Sequence, residues 1–305
     1  MNKSSAAASA AHGAGILYAV LAYFLWGILP LFWKLLSAVS LFHILAFRIL
    51  FSLILVGSIL FAEKNLNWLD IFKDKRQGLF LILAAFTVSL NWGIYVWAVN
   101  SGHTIETSLG YYINPLITVV LGLCFFKERI NLLQTIAFSL AVIGVLIQII
   151  FTGSPPWISL CLAFSFGFYG LLKKTVKLSA LESLGSETLA ASPISLILLA
   201  GSFGTGSQFP DPQGLLYLKE LPVFTLILLP VCGIVTAVPL FLFAKCVKIL
   251  PLSTVGFIQF LTPTLTFLTG VFIFRESFPP HNLIVFGFIW AAVILYVVSL
   301  RRTAK

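Results

Sequence analysis

The stretch Tyr112–Arg129 reads YINPLITVVLGLCFFKER, and 148 positions later Phe260–Ser277 reads FLTPTLTFLTGVFIFRES. Laid over one another without gaps, the windows share Pro115/Pro263, Thr118/Thr266, Gly122/Gly270, Phe126/Phe274 and Glu128/Glu276, with Lys127/Arg275 a basic match. Five identities in eighteen positions exceed the roughly one or two expected by chance and identify an internal duplication. A chain made of two copies of one membrane unit is expected to be a transporter before it is an enzyme.

The membrane assignment follows from composition. Of 305 residues, 59% are hydrophobic and 10% charged, too few polar side chains to coat a water-soluble globule. The net charge of +9 does not point to nucleic acid, because Lys and Arg fall in short clusters between apolar runs, where they orient spans. Cys124, Cys161, Cys232 and Cys246 lack CxxC spacing and are expected as free thiols. No HxxxH pair suggests a metal site, and no GxxxxGK[ST] or GxSxG supports ATP-driven pumping or serine-hydrolase chemistry. Neither a cofactor nor a metal is expected.

About 20 apolar residues cross a bilayer. By that measure the chain holds ten spans, near 15–34, 41–61, 79–99, 104–126, 133–151, 157–173, 183–202, 222–243, 252–274 and 283–300. The first reads as an anchor and not a cleaved signal peptide. With the N-terminus in the cytoplasm, fifteen Lys and Arg residues, Lys173 and Lys174 among them, lie inside and three lie outside, with Arg48 left within a span. That bias supports the orientation and an even number of spans, with both termini cytoplasmic. Five spans per copy is an odd number, so the second copy enters from the opposite side and the repeats are inverted. The expected fold is an all-α membrane protein of ten transmembrane helices. It divides into a disordered lead at 1–14, a five-helix repeat at 15–151, an inverted five-helix repeat at 157–300 and a tail at 301–305. The connector 63–78 reads as an interfacial amphipathic helix and 201–221 as irregular backbone. Each copy opens on an aromatic and small-residue helix, Tyr23 to Gly27 against Phe166 to Gly170. Inverted repeats place a substrate site near the midplane.

Pro115 and Pro263 sit mid-span in equivalent helices, where each removes a backbone N–H and frees the carbonyl four residues earlier, at Tyr111 and Gln259. A hinge or a packing kink fits both prolines. Following the helix face of each proline gives Thr107, Tyr111, Pro115, Thr118 and Gly122 in one copy and Val255, Gln259, Pro263, Thr266 and Gly270 in the other. Such stripes should face the bundle centre or a wet cavity and not lipid, and the motif's own binding candidates are Tyr111, Asn114 and Gln259. Intramembrane charge is the sharper signal, at Arg48, Glu106 and Glu187. The two acids are read either as helix N-terminal carboxylates favoured by the dipole or as proton-coupling groups. Arg48 is read as half of a buried pair or as an anion contact. Asn91, Trp92 and Tyr95 put amide, indole and phenol largely on one face of the third span, suited to a partly aromatic or amphipathic solute. The Lys127–Glu128 and Arg275–Glu276 pairs are assigned to turns and caps.

The stretches AYFLWGILPLFWK (22 to 34), HILAFRILFS (43 to 52), NWGIYVWAVNSGHTIETSLGYYINPL (91 to 116) and GFIQFLTPTLTFLTGVFIFRE (256 to 276) resemble the drug/metabolite transporter superfamily. Within it they resemble EamA-type permeases, the RarD-like group above all. The resemblance covers nearly the whole chain. It implies a multi-pass carrier of the bacterial inner membrane, secondary-active and working by alternating access, often an exporter of small metabolites or drugs. It transfers no assigned site residue. Partners implied are a small-molecule solute, the lipid bilayer and a coupling proton, with no nucleic acid and either a monomer or a homodimer. The rival readings are a membrane enzyme acting on a lipid-like substrate, which needs paired acids or histidines near one leaflet, and a non-transporting scaffold or sensor.

Overall fold

The computed structural model describes residues 3–65, 67–100, 104–153, 157–201, 216–275 and 280–303. Regular structure among them is helical throughout. The α-helices are α1 (Lys3–Leu35), α2 (Leu41–Ala62), α3 (Lys75–Asn100), α4 (Thr104–Phe126), α5 (Leu132–Thr152), α6 (Trp157–Thr175), α7 (Ala180–Gly201), α8 (Val223–Ile249), α9 (Leu252–Gln259), α10 (Leu261–Leu268) and α11 (His281–Thr303). Every apolar run read from the sequence coincides with helix. Among the described residues eight segments are long and apolar enough to cross a membrane, and Gly110–Phe126 is apolar but shorter. The α6 segment, whose last turn carries Lys173 and Lys174, is not among them.

Three expectations change. Helix α1 takes in residues 3–14, where a disordered lead is expected, so the Ala-rich stretch continues the first helix, as its high helix propensity favours. The connector after α2 forms a short 3₁₀ helix, Asn67–Lys73, and not a free amphipathic helix. It tucks Trp68 and Ile71 into the protein and leaves Leu69 and Phe72 exposed. The ninth run is three pieces: α9, α10 and a π-helical turn at Thr269–Ile273. Proline at 263 cannot donate to the Gln259 carbonyl and its ring crowds that turn, and the chain breaks there. Pro115 lies inside an unbroken α4. Two prolines at one repeat position therefore have different backbone consequences. Of the irregular connector at 201–221, residues 202–215 lie outside the described residues, and Leu216–Glu220 is a 3₁₀ turn.

The halves of the sequence do not form separate lobes. Helix α1 packs on α8 and α10, α2 on α7 and α8, α3 on α6 and α7, α4 on α6 and α9, and α5 on α11. The aromatic openings of both copies meet inside this bundle. Trp26 and Phe166 stand edge to face at 5.6 Å, and Tyr23, Trp26, Phe166 and Tyr169 all pack on the ring of Phe243. Where α4 and α9 cross, a Cβ on Gly256 would lie 2.8 Å from the Pro115 carbonyl oxygen, so only glycine admits this approach.

The ends of the repeated motif have a defined job in the first copy. Lys127 and Arg275 both adopt left-handed backbone, at φ 52° and 55°, closing their helices in the manner of a C-terminal cap. Glu128 then turns back and accepts hydrogen bonds from the N–H groups of Leu252 and Ser253, at 2.6 and 2.8 Å, and from Lys174 Nζ at 3.2 Å. It caps a helix 124 positions away, while Glu276 lies outside the described residues. Burial raises the Glu128 pKa, but the two amides and Lys174 outweigh it and hold the carboxyl below its ordinary value. A lowered native pKa contributes stability that is complete above the unfolded value of about 4.3 and is lost as pH falls through the native value. Glu128→Gln is expected to cost about 1–2 kcal/mol at neutral pH and to flatten the acid limb of a melting-temperature profile. An unchanged acid limb would remove Glu128 from that role.

Candidate functional site

A cavity of about 180 Å³ lies among seven helices drawn from both halves of the sequence. Helix α1 contributes Tyr23, Trp26, Leu29, Pro30 and Trp33, a stripe at helical spacing on one face. Arg48 enters from α2, Asn91, Trp92 and Tyr95 from α3, and Gly110, Tyr111 and Asn114 from α4. Leu162 and Phe166 of α6 and Gln259, Thr262, Pro263 and Thr266 at the α9–α10 break complete the wall. Thr262 and Thr266 donate to the carbonyls of Tyr23 and Gly27, at 2.8 and 3.4 Å, which ties α10 to α1 across the cavity.

The polar groups are fixed from behind. Asn91 donates its amide to Leu162 O at 2.8 Å and Ser165 Oγ at 3.0 Å, which leaves its own carbonyl oxygen for the cavity. Gln259 donates to Asn114 Oδ1 at 2.7 Å, and the Thr118 hydroxyl sits against both side chains. With the amides in the orientation this network requires, the Asn114 amide nitrogen is left without an acceptor among the described residues. Tyr95 and Tyr111 meet edge to face at 6.0 Å. The buried Tyr23 hydroxyl has no partner among the described residues. Arg48 lies under two indoles, its guanidinium carbon 4.3 Å from the Trp92 ring and 5.0 Å from that of Trp33. Its Nε donates to Thr236 at 3.0 Å.

Arg48, Asn91, Trp92, Tyr95, Tyr111, Asn114, Gln259 and Pro263, all singled out from the sequence, thus surround one space. Pro115 does not line it and packs toward Gly256. The side chain of Glu106 lies outside the described residues. Glu187 is not at a helix N-terminus but two turns into α7. The cap belongs to Glu182, which accepts from Ser179 N at 2.8 Å while its own N–H donates to Ser179 Oγ at 3.2 Å, a capping box. Glu187 accepts instead from Lys173 Nζ at 2.6 Å, and Ser183 accepts from the same ammonium at 2.9 Å. Lys173, which the sequence places at the end of the sixth span among the cytoplasmic-side charges, is fully buried. A narrow void of about 10 Å³ is lined by Arg48, Trp92, Thr236 and Glu187 among others, so the ion pair and the main cavity adjoin the same gap.

Sequence reasoning did not single out Trp33 or Thr262, placed Thr266 only in the polar stripe with Gln259, and treated Tyr23, Trp26 and Phe166 only as repeat markers. The spacing of Tyr23, Trp26, Pro30 and Trp33 is the signal that was there to find. For Lys173 there was none, because its position in a basic triplet with Lys174 and Lys177 is what a connector shows.

Comparison with known proteins bears on the whole chain. The model of the EamA-like transporter family matches twice, at residues 13–150 and 156–298. An "Uncharacterized transporter YojE" of Bacillus subtilis is 40% identical over 93% of this chain and 94% of its own length. A "Protein RarD" of Streptomyces exfoliatus is 39% identical over 95% of this chain and 90% of its own. A solved crystal structure superposes with a TM-score of 0.71 at 16% identity, over 97% of this chain and 99% of that one, and establishes likeness of fold.

Proposed function

The chain belongs to the EamA-like transporter family, and on that premise we propose that it is a secondary-active permease. It moves a small organic metabolite or drug across the bacterial inner membrane by alternating access, in the direction of export. The observation that carries this reading is the cavity itself: it is lined by helices of both sequence halves, walled by aromatics, and furnished with a few fixed polar groups. Its volume lies below the roughly 300 Å³ at which drug-sized pockets begin, which favours a small metabolite.

The packing supports ten spans in two inverted repeats. If the α9–α10 run counts as one helix, exchanging each helix for its counterpart five places on turns the α1–α8 contact into α6–α3, and α2–α8 into α7–α3, all of them pairings that occur. The double family match supports the same division. In the transport cycle the α9–α10 break serves as the hinge, since α10 is tied to α1 while α9 is held by Glu128, so the two pieces can move with different partners. The excess of Lys and Arg on one side supports cytoplasmic termini.

Glu187 is the coupling group in this reading. Protonation would release it from Lys173, beside a gap that also reaches Arg48. Purified protein in proteoliposomes is expected to give saturable solute flux that follows an imposed pH gradient, and Glu187→Gln to remove the dependence on pH. Flux that ignores the gradient in both proteins would eliminate the proton. No saturable flux for any solute in a broad metabolite panel would eliminate the permease.

A further inference from the structure

The permease reading leaves open what the solute must carry, and Arg48 narrows it. A guanidinium stays charged at any pH the cell offers, and taking it out of water costs several kcal/mol unless something offsets the charge. Two lysines withdrawn from water in this protein are paired directly with a carboxylate. Lys173 has Glu187 at 2.6 Å and Lys174 has Glu128 at 3.2 Å. Among the described residues Arg48 has no carboxylate. Its Nε is occupied by Thr236 and its faces by Trp33 and Trp92, interactions that hold the plane of the group in place. Its terminal N–H groups have no acceptor among the described residues, and the side chain lines the cavity. A planar fork held between two indoles, with its bidentate edge unused, is the arrangement that recognises a carboxylate.

We propose that the transported solute is a small organic anion whose carboxylate docks on Arg48 while its flat, unsaturated body lies against the Trp26, Trp33 and Trp92 rings. The inference rests on the permease reading for the word transported but not for the site. The Asn114 amide nitrogen, left without an acceptor among the described residues, offers a further donor to an oxygen-bearing solute. The Asn91 carbonyl oxygen faces the same space and disfavours a second anionic group beside it.

The test uses three probes of matched size: benzoate, benzamide and benzylammonium. Binding to the purified protein in detergent is read by quenching of tryptophan fluorescence, since Trp33 and Trp92 flank the site. Benzoate is expected to bind saturably and at least about tenfold more tightly than either of the other two, the worth of one charge-assisted contact. Arg48→Gln is expected to erase the preference for benzoate over benzamide, and Arg48→Lys, which keeps the charge and loses the fork, to retain only part of it. Equal binding of the three probes to the wild-type protein would overturn the proposal, as would an Arg48→Gln protein with the benzoate preference intact. If the variants do not fold, the wild-type probe series decides alone. Failure of the anion site and of the permease separate cleanly. Saturable flux of neutral or cationic solutes without carboxylate preference overturns the first, and benzoate binding without flux of any solute overturns the second.

Discussion

Replacing Lys173 with methionine is expected to destabilise the protein by about 3–5 kcal/mol, and adding Glu187→Leu to the same chain to recover most of that loss. The side chains of Lys173 and Glu187 are 0% and 3% exposed and meet at 2.6 Å, so neither has water to fall back on. Removing the ammonium leaves a buried carboxylate without its cation, beside the Tyr169 hydroxyl, at great cost while it stays charged. Removing both leaves two hydrocarbon side chains in a helix contact, which packing tolerates. Melting curves of the single and double variants in one detergent measure the coupling. Additive losses would show that the two residues do not act as a pair. The double variant also separates stability from mechanism: a protein that melts like the wild type yet transports without pH dependence places proton coupling in this pair.

The second large effect is steric. A Cβ at Gly233 would lie 2.5 Å from the carbonyl carbon of Phe51 and 2.7 Å from its oxygen. Both are backbone atoms, which no rotamer change can move aside. Here α8 lies against the backbone of α2, and the Ser52 hydroxyl donates to the Gly233 carbonyl at 3.1 Å across the same contact. Gly233→Ala is expected to force the helices apart, to break that hydrogen bond and to cost about 3 kcal/mol or more. Gly57→Ala on α2 is the matched control, since nothing lies within 4 Å of its Cβ position, and alanine there is expected to be neutral or to stabilise by up to about 1 kcal/mol through helix propensity. Similar melting temperatures for the two variants would show that the α2–α8 contact yields more easily than its geometry implies.

Such contacts mark the boundary of what can be read along a chain. Span positions were legible because burial in hydrocarbon imposes length and composition on a contiguous stretch, and those are local quantities. The motif shared by the two halves was legible because both occurrences keep proline, glycine and glutamate in register. Much of the cavity wall was legible too, because a polar or aromatic group in an apolar helix is costly unless it faces something other than lipid, and that cost singles out Arg48, Asn91 and Gln259 one at a time. Only the tertiary structure decided their partners. Glu187 stood open between a helix-end carboxylate and a coupling group until α6 brought Lys173 against it. Glu128 looked like a local cap until the α8–α9 junction presented two amides to it. Pro115 and Pro263 looked alike until one helix stayed continuous and the other broke. Helix existence is set by residues a few positions apart, whereas the rotation of each helix about its axis, which decides what a side chain meets, is set by packing against helices far away in sequence.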